Sequence, residues 1–345
     1  MNNHIQFKRS RAVRLAASAV AVATVVAGAA GIVAAQANAA PHVKAKLEHG
    51  VLRIKGSDAR DKIVLRLKAG EPGVLQVDVG DNGSADFSFE RAEIAAIVVN
   101  AGDGGDLVRI DESNGAVNAG IPTTLRGGDG NDTLAGGSGD ETLRGGDGRD
   151  SIDGNRGADV GLMGDGADTF VWDPGDGSDV VEGRDGRDTM VFNGAPIAEQ
   201  FDLSANGRRL RFFRDVGAIT MDTRGVERVD VPALGGADTI TVNDLTATDV
   251  SAVNADLAGT LGGASGDGQP DRVLVNGTEG NDTIDVSGDA GGVKVSGLAA
   301  TIRILHAEAA NDRLEINTLA GRDAVDSSGL AAGAIQLLVD GIPVP

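Results

Sequence analysis

The chain has 345 residues, of which 52 are glycine, and a formal net charge of −20 at pH 7. This acidity excludes nucleic-acid binding, which needs a basic footprint. The absence of cysteine excludes a disulfide framework and thiol chemistry, and a hydrophobic content of 41% is too high for a disordered chain.

The N-terminus has the order of a secretory signal peptide. Residues 1–14 are basic and polar, residues 15–35 form an uncharged run of mostly Ala, Gly and Val, and small residues follow at Ala37 and Ala39. We therefore expect a signal peptide over 1–39, with cleavage after Ala39, and a secreted protein without a membrane segment. The alternative is an uncleaved anchor, because the apolar run is long enough to span a bilayer.

The next segment, 40–122, is predicted to be rich in β-strands. Runs such as VLRIKGS, DKIVLRLKAG and VLQVDVG alternate apolar and polar residues, as half-buried strands do.

Seven acidic residues recur in segment 123–192 at steps of nine residues, with one step of eleven. A fixed short period indicates a repeated supersecondary unit, here of the form G-G-x-G-x-D-x-U-x with U apolar. The acids at position six are Asp132, Glu141, Asp150, Asp159, Asp168, Asp179 and Asp188.

Each unit contains the donors of an all-oxygen cation site. Glycines let the backbone adopt positive φ and turn tightly, so that carbonyl oxygens join the carboxylate. Such a shell suits Ca²⁺ better than Mg²⁺, and Zn²⁺ would need His or Cys, which the repeats lack. Besides the seven acids, the predicted metal-site residues are Asp129, Asp140, Asp147, Asp165, Asp185, Gly128, Gly130, Gly137, Gly139, Gly146 and Gly148.

Position eight of each unit is expected to point into a core. Its occupants are Leu134, Leu143, Ile152, Gly161, Phe170, Val181 and Met190. Positions seven to nine therefore predict very short strands stacked into a parallel β-solenoid with cation loops along its edges. Gly161 contributes no side chain, so we expect a packing gap there.

Segment 127–192 closely resembles the RTX, or hemolysin-type, calcium-binding repeat. The resemblance implies a β-roll in which two nonapeptides make one coil and each Ca²⁺ lies between loops one coil apart. It implies shared ions for the following pairs: Asp132 with Asp150, Asp150 with Asp168, Glu141 with Asp159, and Asp168 with Asp188 across a step of twenty.

Three departures from the repeat weaken parts of the expected array. Glu141 replaces Asp, and the neighbouring Asp140 is an alternative ligand. Asn155 and Arg156 interrupt the repeat that contains Asp159, so we expect the sites that use Asp159 to be the weakest.

The remaining segment, 193–345, is predicted to be a β-rich or irregular β-helix segment. A hairpin is expected with its turn at Asn206-Gly207, and the four arginines between residues 208 and 214 are expected on a solvated strand face. Degenerate copies of the repeat turn occur here and upstream, with acids at Asp61, Asp106, Asp238, Asp282, Asp312 and Asp323. These acids lack partners eighteen residues away, and we interpret them mainly as turn residues.

Motifs of the enzymes to which such repeats are joined do not occur. The chain contains neither H-E-x-x-H nor G-x-S-x-G, which excludes a zinc protease of that motif and a lipase with that elbow. His306 is expected to be a surface or packing residue. A carbohydrate-active β-helix enzyme, a polysaccharide lyase or epimerase, stays as the alternative.

Together these features predict an all-β protein in which a parallel β-solenoid is flanked by β-rich segments. The order of its segments also resembles secreted bacterial RTX proteins. The predicted function is Ca²⁺ binding by a non-catalytic extracellular protein that folds on binding. We expect a structural or adhesive role and a matrix, surface or carbohydrate partner, without nucleic acid or membrane.

Overall fold

The computed structural model describes residues 43–344, which form an almost entirely β structure with two short 3₁₀ turns, Arg91–Glu93 and Val216–Ala218. The strands, in chain order, are β1 (Lys44–Glu48), β2 (Val51–Lys55), β3 (Lys62–Lys68), β4 (Glu71–Val79), β5 (Phe87–Glu90), β6 (Ala96–Asp103), β7 (Leu107–Asp111), β8 (Thr123–Asp129), β9 (Thr133–Ala135), β10 (Glu141–Gly148), β11 (Ser151–Asp153), β12 (Val160–Gly166), β13 (Thr169–Trp172), β14 (Val180–Gly186), β15 (Thr189–Phe192), β16 (Gln200–Asn206), β17 (Arg209–Arg214), β18 (Ile219–Arg224), β19 (Arg228–Pro232), β20 (Thr239–Val242), β21 (Ala252–Asp256), β22 (Arg272–Asn276), β23 (Thr283–Asp289), β24 (Gly292–Ser296), β25 (Thr301–Leu305), β26 (Arg313–Asn317), β27 (Ala324–Leu330), β28 (Gln336–Val339) and β29 (Ile342–Pro343).

These strands form two long sheets that share one apolar core. The first sheet has 15 strands in the order β1-β2-β6-β8-β10-β12-β14-β18-β17-β16-β20-β22-β26-β28-β29. The second has 14 strands in the order β27-β23-β24-β25-β21-β19-β15-β13-β11-β9-β7-β3-β4-β5. From β6 to β15 the chain alternates strictly between the sheets, so each coil adds one parallel strand to each. The predicted all-β fold with a parallel β-solenoid is confirmed.

The three segments expected from the sequence all contribute strands to the same two sheets. Strand β6 of segment 40–122 pairs in parallel with β8, and strands β18 and β19 of segment 193–345 pair with β14 and β15. Segment boundaries at 122 and 192 stay predictions. The predicted signal peptide over 1–39 lies outside the described residues, and no helix in the described part is both long and apolar enough to cross a bilayer.

The position-eight residues of the repeats are fully buried and alternate between the sheets. In the second sheet, Leu134, Ile152, Phe170 and Met190 stack in parallel register. In the repeat block, the strands of the second sheet are as short as expected, with three or four residues, but those of the first sheet are longer. They have seven or eight residues in the repeat block and continue into the glycine turns, because these turns also pair with the coil before.

The packing gap expected at Gly161 is wrong. A Cβ at Gly161 would lie 2.7 Å from Cε2 and 2.8 Å from Cδ2 of Phe170. The Phe170 ring, which reaches from the opposite sheet, therefore fills the space that a side chain at residue 161 would occupy.

Antiparallel insertions widen the solenoid beyond the repeats. The predicted hairpin is confirmed: Phe201 to Asn206 pairs with Arg209 to Arg214, so its loop is Gly207-Arg208, one residue later than expected. The expectation that the arginines form a solvated face is wrong for Arg214, which is buried, forms an ion pair with Glu199 and lies over the ring of Trp172.

Candidate metal centre

Acidic residues occupy the turns along both edges of the solenoid, each at or next to the start of a strand. On the first edge the chain passes from the first sheet to the second, and on the second edge it returns. The first-edge column consists of Asp61, Asp106, Asp132, Asp150, Asp168, Asp188 and Glu227. The second-edge column consists of Glu141, Asp159 and Asp179 in the repeats and of Glu199, Asp238, Asp271 and Asp312 beyond them.

A ladder of hydrogen bonds joins each acid of the first-edge column to its neighbour. The backbone N–H of Asp132 donates to Oδ1 of Asp150 at 2.8 Å, the N–H of Asp150 donates to Oδ1 of Asp168 at 2.8 Å, and that of Asp168 donates to Oδ1 of Asp188 at 2.9 Å. Each step therefore holds one carboxylate oxygen against the coil before it. The step of twenty residues does not interrupt the ladder.

The second oxygen of several of these carboxylates is buried and has no hydrogen-bond partner among the described residues. It is Oδ2 in every case, and the residues are Asp106, Asp132, Asp150, Asp159, Asp168, Asp188 and Asp238. Buried polar atoms are normally hydrogen-bonded, and an orphan requires a reason such as an ion. One orphaned oxygen recurs at successive coils, as a row of bound cations would require.

Burial raises the pKa values of these carboxyl groups. Desolvation raises the pKa of Asp150 to about 7; the Asp132 N–H lowers it, and the charges of Asp168, Asp132 and Asp147 act in the same direction as desolvation. Burial raises the pKa of Asp188 to about 7 and that of Asp159 to about 9. The metal-free solenoid thus disfavours the ionised carboxylates that an oxygen-bound cation would stabilise.

Exposed carboxylates at position three of the first-edge turns form a second row. In the first sheet, Asp129 pairs in register with Asp147, Asp147 with Asp165, and Asp165 with Asp185. Parallel neighbours lie about 4.8 Å apart, so these like charges repel one another. They also raise the pKa values of the buried acids, as Asp129 does for Asp132 and Asp165 for Asp168.

Glycines of the first-edge turns stack directly on one another. Gly128, Gly130, Gly146 and Gly148 all have positive φ, between 125° and 140°. A Cβ on Gly148 would lie 1.9 Å from the carbonyl oxygen of Gly130, and a Cβ on Gly146 would lie 2.0 Å from that of Gly128. A Cβ on Gly127 would lie 2.0 Å from the orphaned Oδ2 of Asp132. The space around the carboxylate is therefore a cradle that only glycine leaves open.

The second edge of the repeats has the same ladder with different neighbours. The N–H of Glu141 donates to Asp159 at 2.7 Å and that of Asp159 to Asp179 at 2.9 Å. Glu141 differs because both of its oxygens have partners, the N–H of Gly137 and the side-chain amide of Asn118.

The other residues predicted near Glu141 lie outside this ladder. Asp140 is exposed, and its carboxylate accepts the N–H of Ala158 at 2.9 Å. Gly139 packs closely, because a Cβ there would lie 2.8 Å from an oxygen of Glu141 and 2.8 Å from the carbonyl oxygen of Asn118.

The chemistry of these turns fits calcium rather than a transition metal. Within residues 43–344, no group of three or more His, Cys, Asp or Glu side chains is arranged to hold a metal ion by itself. A cation at the orphaned oxygens would need backbone carbonyls in addition to one or two carboxylates, a donor set that Ca²⁺ accepts readily.

Acids interpreted from the sequence as turn residues form the same kind of hydrogen bond between coils. Asp106 accepts the N–H of Asp61 at 2.7 Å and donates its own N–H to Asp132 at 2.7 Å. The N–H of Asp282 donates to Asp323 at 2.9 Å. These acids were expected to lack partners because no partner acid stands eighteen residues away. In the structure, the paired acids are 45, 26 and 41 residues apart.

Two column members, Glu199 and Glu227, carry no turn signature in the sequence. The other acids could be found from the sequence by searching for Gly/Asp turns without requiring a fixed spacing between them. His306, expected to be a surface or packing residue, is half-buried with Nδ1 2.6 Å from Oδ1 of Asp256.

Comparisons with known proteins agree with the repeat geometry. The chain has no match among curated proteins. Among solved structures it is similar to the extracellular lipase LipA from Serratia marcescens, with 10% sequence identity and a TM-score of 0.20 over 63% of this chain. It spans 43% of the length of that lipase, and this likeness is too distant to carry an argument. The family model of the RTX calcium-binding nonapeptide repeat (4 copies) matches residues 124–147, 135–170 and 175–194. These residues therefore belong to the RTX repeat family, which binds calcium.

Proposed function

We propose that the repeat block binds Ca²⁺ along both edges of the solenoid and that binding is coupled to folding. The observation that carries the proposal is the row of orphaned Oδ2 atoms on Asp132, Asp150, Asp168 and Asp188. The other oxygen of each, Oδ1, accepts the N–H of the acid one coil earlier. A bound Ca²⁺ supplies the positive charge that ionised, buried carboxylates require.

Each residue type has a separate task in this arrangement. The amides of the ladder orient the carboxylates, and the stacked glycines keep side chains out of the cradle. Exposed Asp129 and its in-register neighbours add negative charge at the rim of the sites. We propose Asp132, Asp150, Asp168 and Asp188 as first-edge ligands and Asp159 and Asp179, with Glu141, as second-edge ligands.

The proposed array begins one coil before the matched repeats, at Asp106. Gly102 pairs in register with Gly128, and Asp103 pairs with Asp129. A Cβ on Gly130 would lie 1.5 Å from the carbonyl oxygen of Gly104, so the turn stacks on its neighbour as the repeat turns do. The orphaned Oδ2 of Asp106 completes the likeness.

Coupling to folding follows from the way the sites are assembled. Each site draws on turns of successive coils, which are apart in the unfolded chain, so the free energy of binding adds to that of folding. A secreted protein would meet the calcium it needs outside the cell. We accordingly propose a secreted, non-catalytic protein with a structural or adhesive extracellular role.

A non-catalytic role is supported by the distribution of the perturbed acids. Carboxyl groups with raised pKa values follow the turns of the two edges, whereas an enzyme would gather a few of them in one cleft. A lyase assay on acidic polysaccharides tests this point. We expect no unsaturated product from the full chain with or without Ca²⁺, and turnover would favour the carbohydrate-active enzyme.

The main test is a far-UV circular dichroism titration of the chelated full chain with Ca²⁺, with Mg²⁺ as the control ion. We expect a cooperative gain of β signal with Ca²⁺ alone. Asp132→Ala with Asp150→Ala should abolish or greatly weaken it, whereas Asp58→Ala, which removes an exposed carboxylate outside the columns, should leave it unchanged. An unchanged wild-type spectrum without binding heat would refute calcium-coupled folding.

A further inference from the structure

The second-edge column continues beyond the repeats through Glu199, Asp238, Asp271 and Asp312. The N–H of Glu199 donates to Oδ1 of Asp238 at 2.8 Å, that of Asp238 to Asp271 at 2.8 Å, and that of Asp271 to Asp312 at 3.0 Å. These steps are 39, 33 and 41 residues. The ladder of the repeats thus recurs in wider coils that the family model does not match.

The members of this extension differ in what satisfies their second oxygen. Glu199 forms an ion pair with the buried Arg214 and accepts the N–H of Ala195 at 2.6 Å. Asp312 accepts the N–H of Glu308 at 2.6 Å. By contrast, Oδ2 of Asp238 is buried and has no partner, and only 1% of that residue is exposed.

The electrostatic surroundings of Asp238 lack a compensating charge. Burial, together with the charges of Asp271, Glu199 and Asp267, raises its pKa to about 8 despite the lowering effect of the Glu199 N–H. Arg214 forms an ion pair with Glu199 one coil earlier, but within residues 43–344 no basic side chain forms an ion pair with Asp238. An ionised carboxylate in this position requires a cation from solution.

The turn before Asp238 is packed against a backbone carbonyl and a second carboxylate. Gly236 has φ of 130°, and a Cβ there would lie 2.5 Å from the carbonyl oxygen of Ile197. The N–H of Gly236 donates to Oδ2 of Asp267 at 2.7 Å, which brings a second carboxylate to the turn. Carboxylate and carbonyl oxygens are the ligands of a hard cation.

We propose that Asp238 marks a divalent-cation site of the calcium class outside the RTX repeats. The cation takes the role beside Asp238 that the guanidinium of Arg214 has beside Glu199. Asp267 is its neighbouring carboxylate. The site is separate from those of the repeat block, and its occupancy does not require that the block binds calcium.

The first test counts the calcium ions bound by the full chain by native mass spectrometry. We expect Asp238→Asn to bind one ion fewer than the wild type. The matched control is Asp282→Asn, in a similar turn, because the N–H and hydroxyl of Thr278 already occupy both oxygens of Asp282 at 2.7 and 2.9 Å. This control should keep the wild-type count. A folded Asp238→Asn variant with an unchanged count would refute the site.

The second test uses the unsubstituted residue and holds even where Asp238→Asn fails to fold. The N–H of Glu199 donates to Asp238, so its NMR resonance should shift when Ca²⁺ binds. The N–H of Asp271 donates to Asp312, whose second oxygen is already occupied, and should shift less. Absence of a Glu199 shift at saturating Ca²⁺ would overturn the proposal.

The same NMR titration in the Asp132→Ala, Asp150→Ala chain separates this site from the repeats. A Glu199 shift that persists there supports an independent site at Asp238, whatever happens to the block. A shift that disappears although the chain remains folded would contradict an independent site.

Discussion

At the scale of single residues, the two oxygens of one carboxylate have different tasks. Oδ1 of Asp150 accepts a backbone N–H, whereas Oδ2 has no hydrogen-bond partner within residues 43–344. The hydrogen bond to Oδ1 orients the side chain, and the unpartnered Oδ2 needs a nearby positive charge if the carboxylate is ionised. Where a basic side chain supplies this charge, as Arg214 does for Glu199, no bound cation is needed.

The raised pKa values predict how the metal-free protein responds to pH. The folded pKa of Asp150 is about 7, against an ordinary value of 3.8. A raised folded pKa means that stability is fully present below the unfolded value and is lost as pH rises through the folded value. Without metal we expect the melting temperature to fall between about pH 4 and pH 8.

This pH dependence can be checked by thermal unfolding in chelator and in saturating Ca²⁺. Calcium should reduce or reverse the decline, since it favours the ionised carboxylates. Asp150→Asn, which cannot ionise, should show a smaller decline in chelator than the wild type. A metal-free protein that becomes more stable from pH 5 to pH 8 would contradict the assigned shifts.

Stacked glycines give a second prediction at this scale. A Cβ on Gly130 would lie 1.5 Å from the carbonyl oxygen of Gly104, whereas a Cβ on Gly120, which also has positive φ, would meet nothing within 4 Å. Gly120→Ala should therefore cost only about 1–2 kcal/mol, from its left-handed backbone. Gly130→Ala should cost about 1–3 kcal/mol more because the neighbouring coil must move.

Urea unfolding of both glycine variants at one fixed Ca²⁺ concentration measures this difference. Equal losses would mean that backbone conformation alone, rather than close stacking of the turns, requires glycine at residue 130. Gly130→Ala should also lower the number of bound ions, which native mass spectrometry would report.

At the scale of elements, the sequence predicts the repeat strands well because the acids at position six and the apolar residues at position eight recur with the same period. The position-eight residues of the repeats lie in the core, as their nine-residue spacing indicates. The length of the first-sheet strands was not predictable in this way, since glycine has low strand propensity and pairs here only because the turns stack. Coils closed by antiparallel insertions, such as β16 to β18, have no fixed period to detect.

The contact between Gly161 and Phe170 gives a prediction about packing between the sheets. Gly161→Ala places a methyl group against the Phe170 ring and should destabilise the protein by about 1–3 kcal/mol. In the Phe170→Leu background the same substitution should cost much less, because the ring edge is gone. Urea unfolding of the two single variants and the double variant gives the coupling. A coupling near zero would mean that Phe170 does not fill this space.

At the scale of the whole molecule, cations bound along the columns of acids would offset the self-repulsion of a chain of net charge −20. The sequence reveals the repeat block and its ion because seven acids are in phase. It does not reveal that Asp106 continues the first-edge ladder or that Asp238 belongs to a second ladder of the same kind, because insertions change the spacing between these acids. Glu199 escapes detection for a related reason, since its partner Arg214 is fifteen residues away in a hairpin.

The most direct measurement is an anomalous difference map from crystals of the full chain grown in Ca²⁺. We expect peaks about 2.3–2.6 Å from the Oδ2 atoms of Asp132, Asp150 and Asp168, as calcium–oxygen distances require. Peaks at these atoms would show that ions occupy the columns. A map at comparable quality with no peaks there, or with ordered water in their place, would contradict calcium binding at the orphaned oxygens.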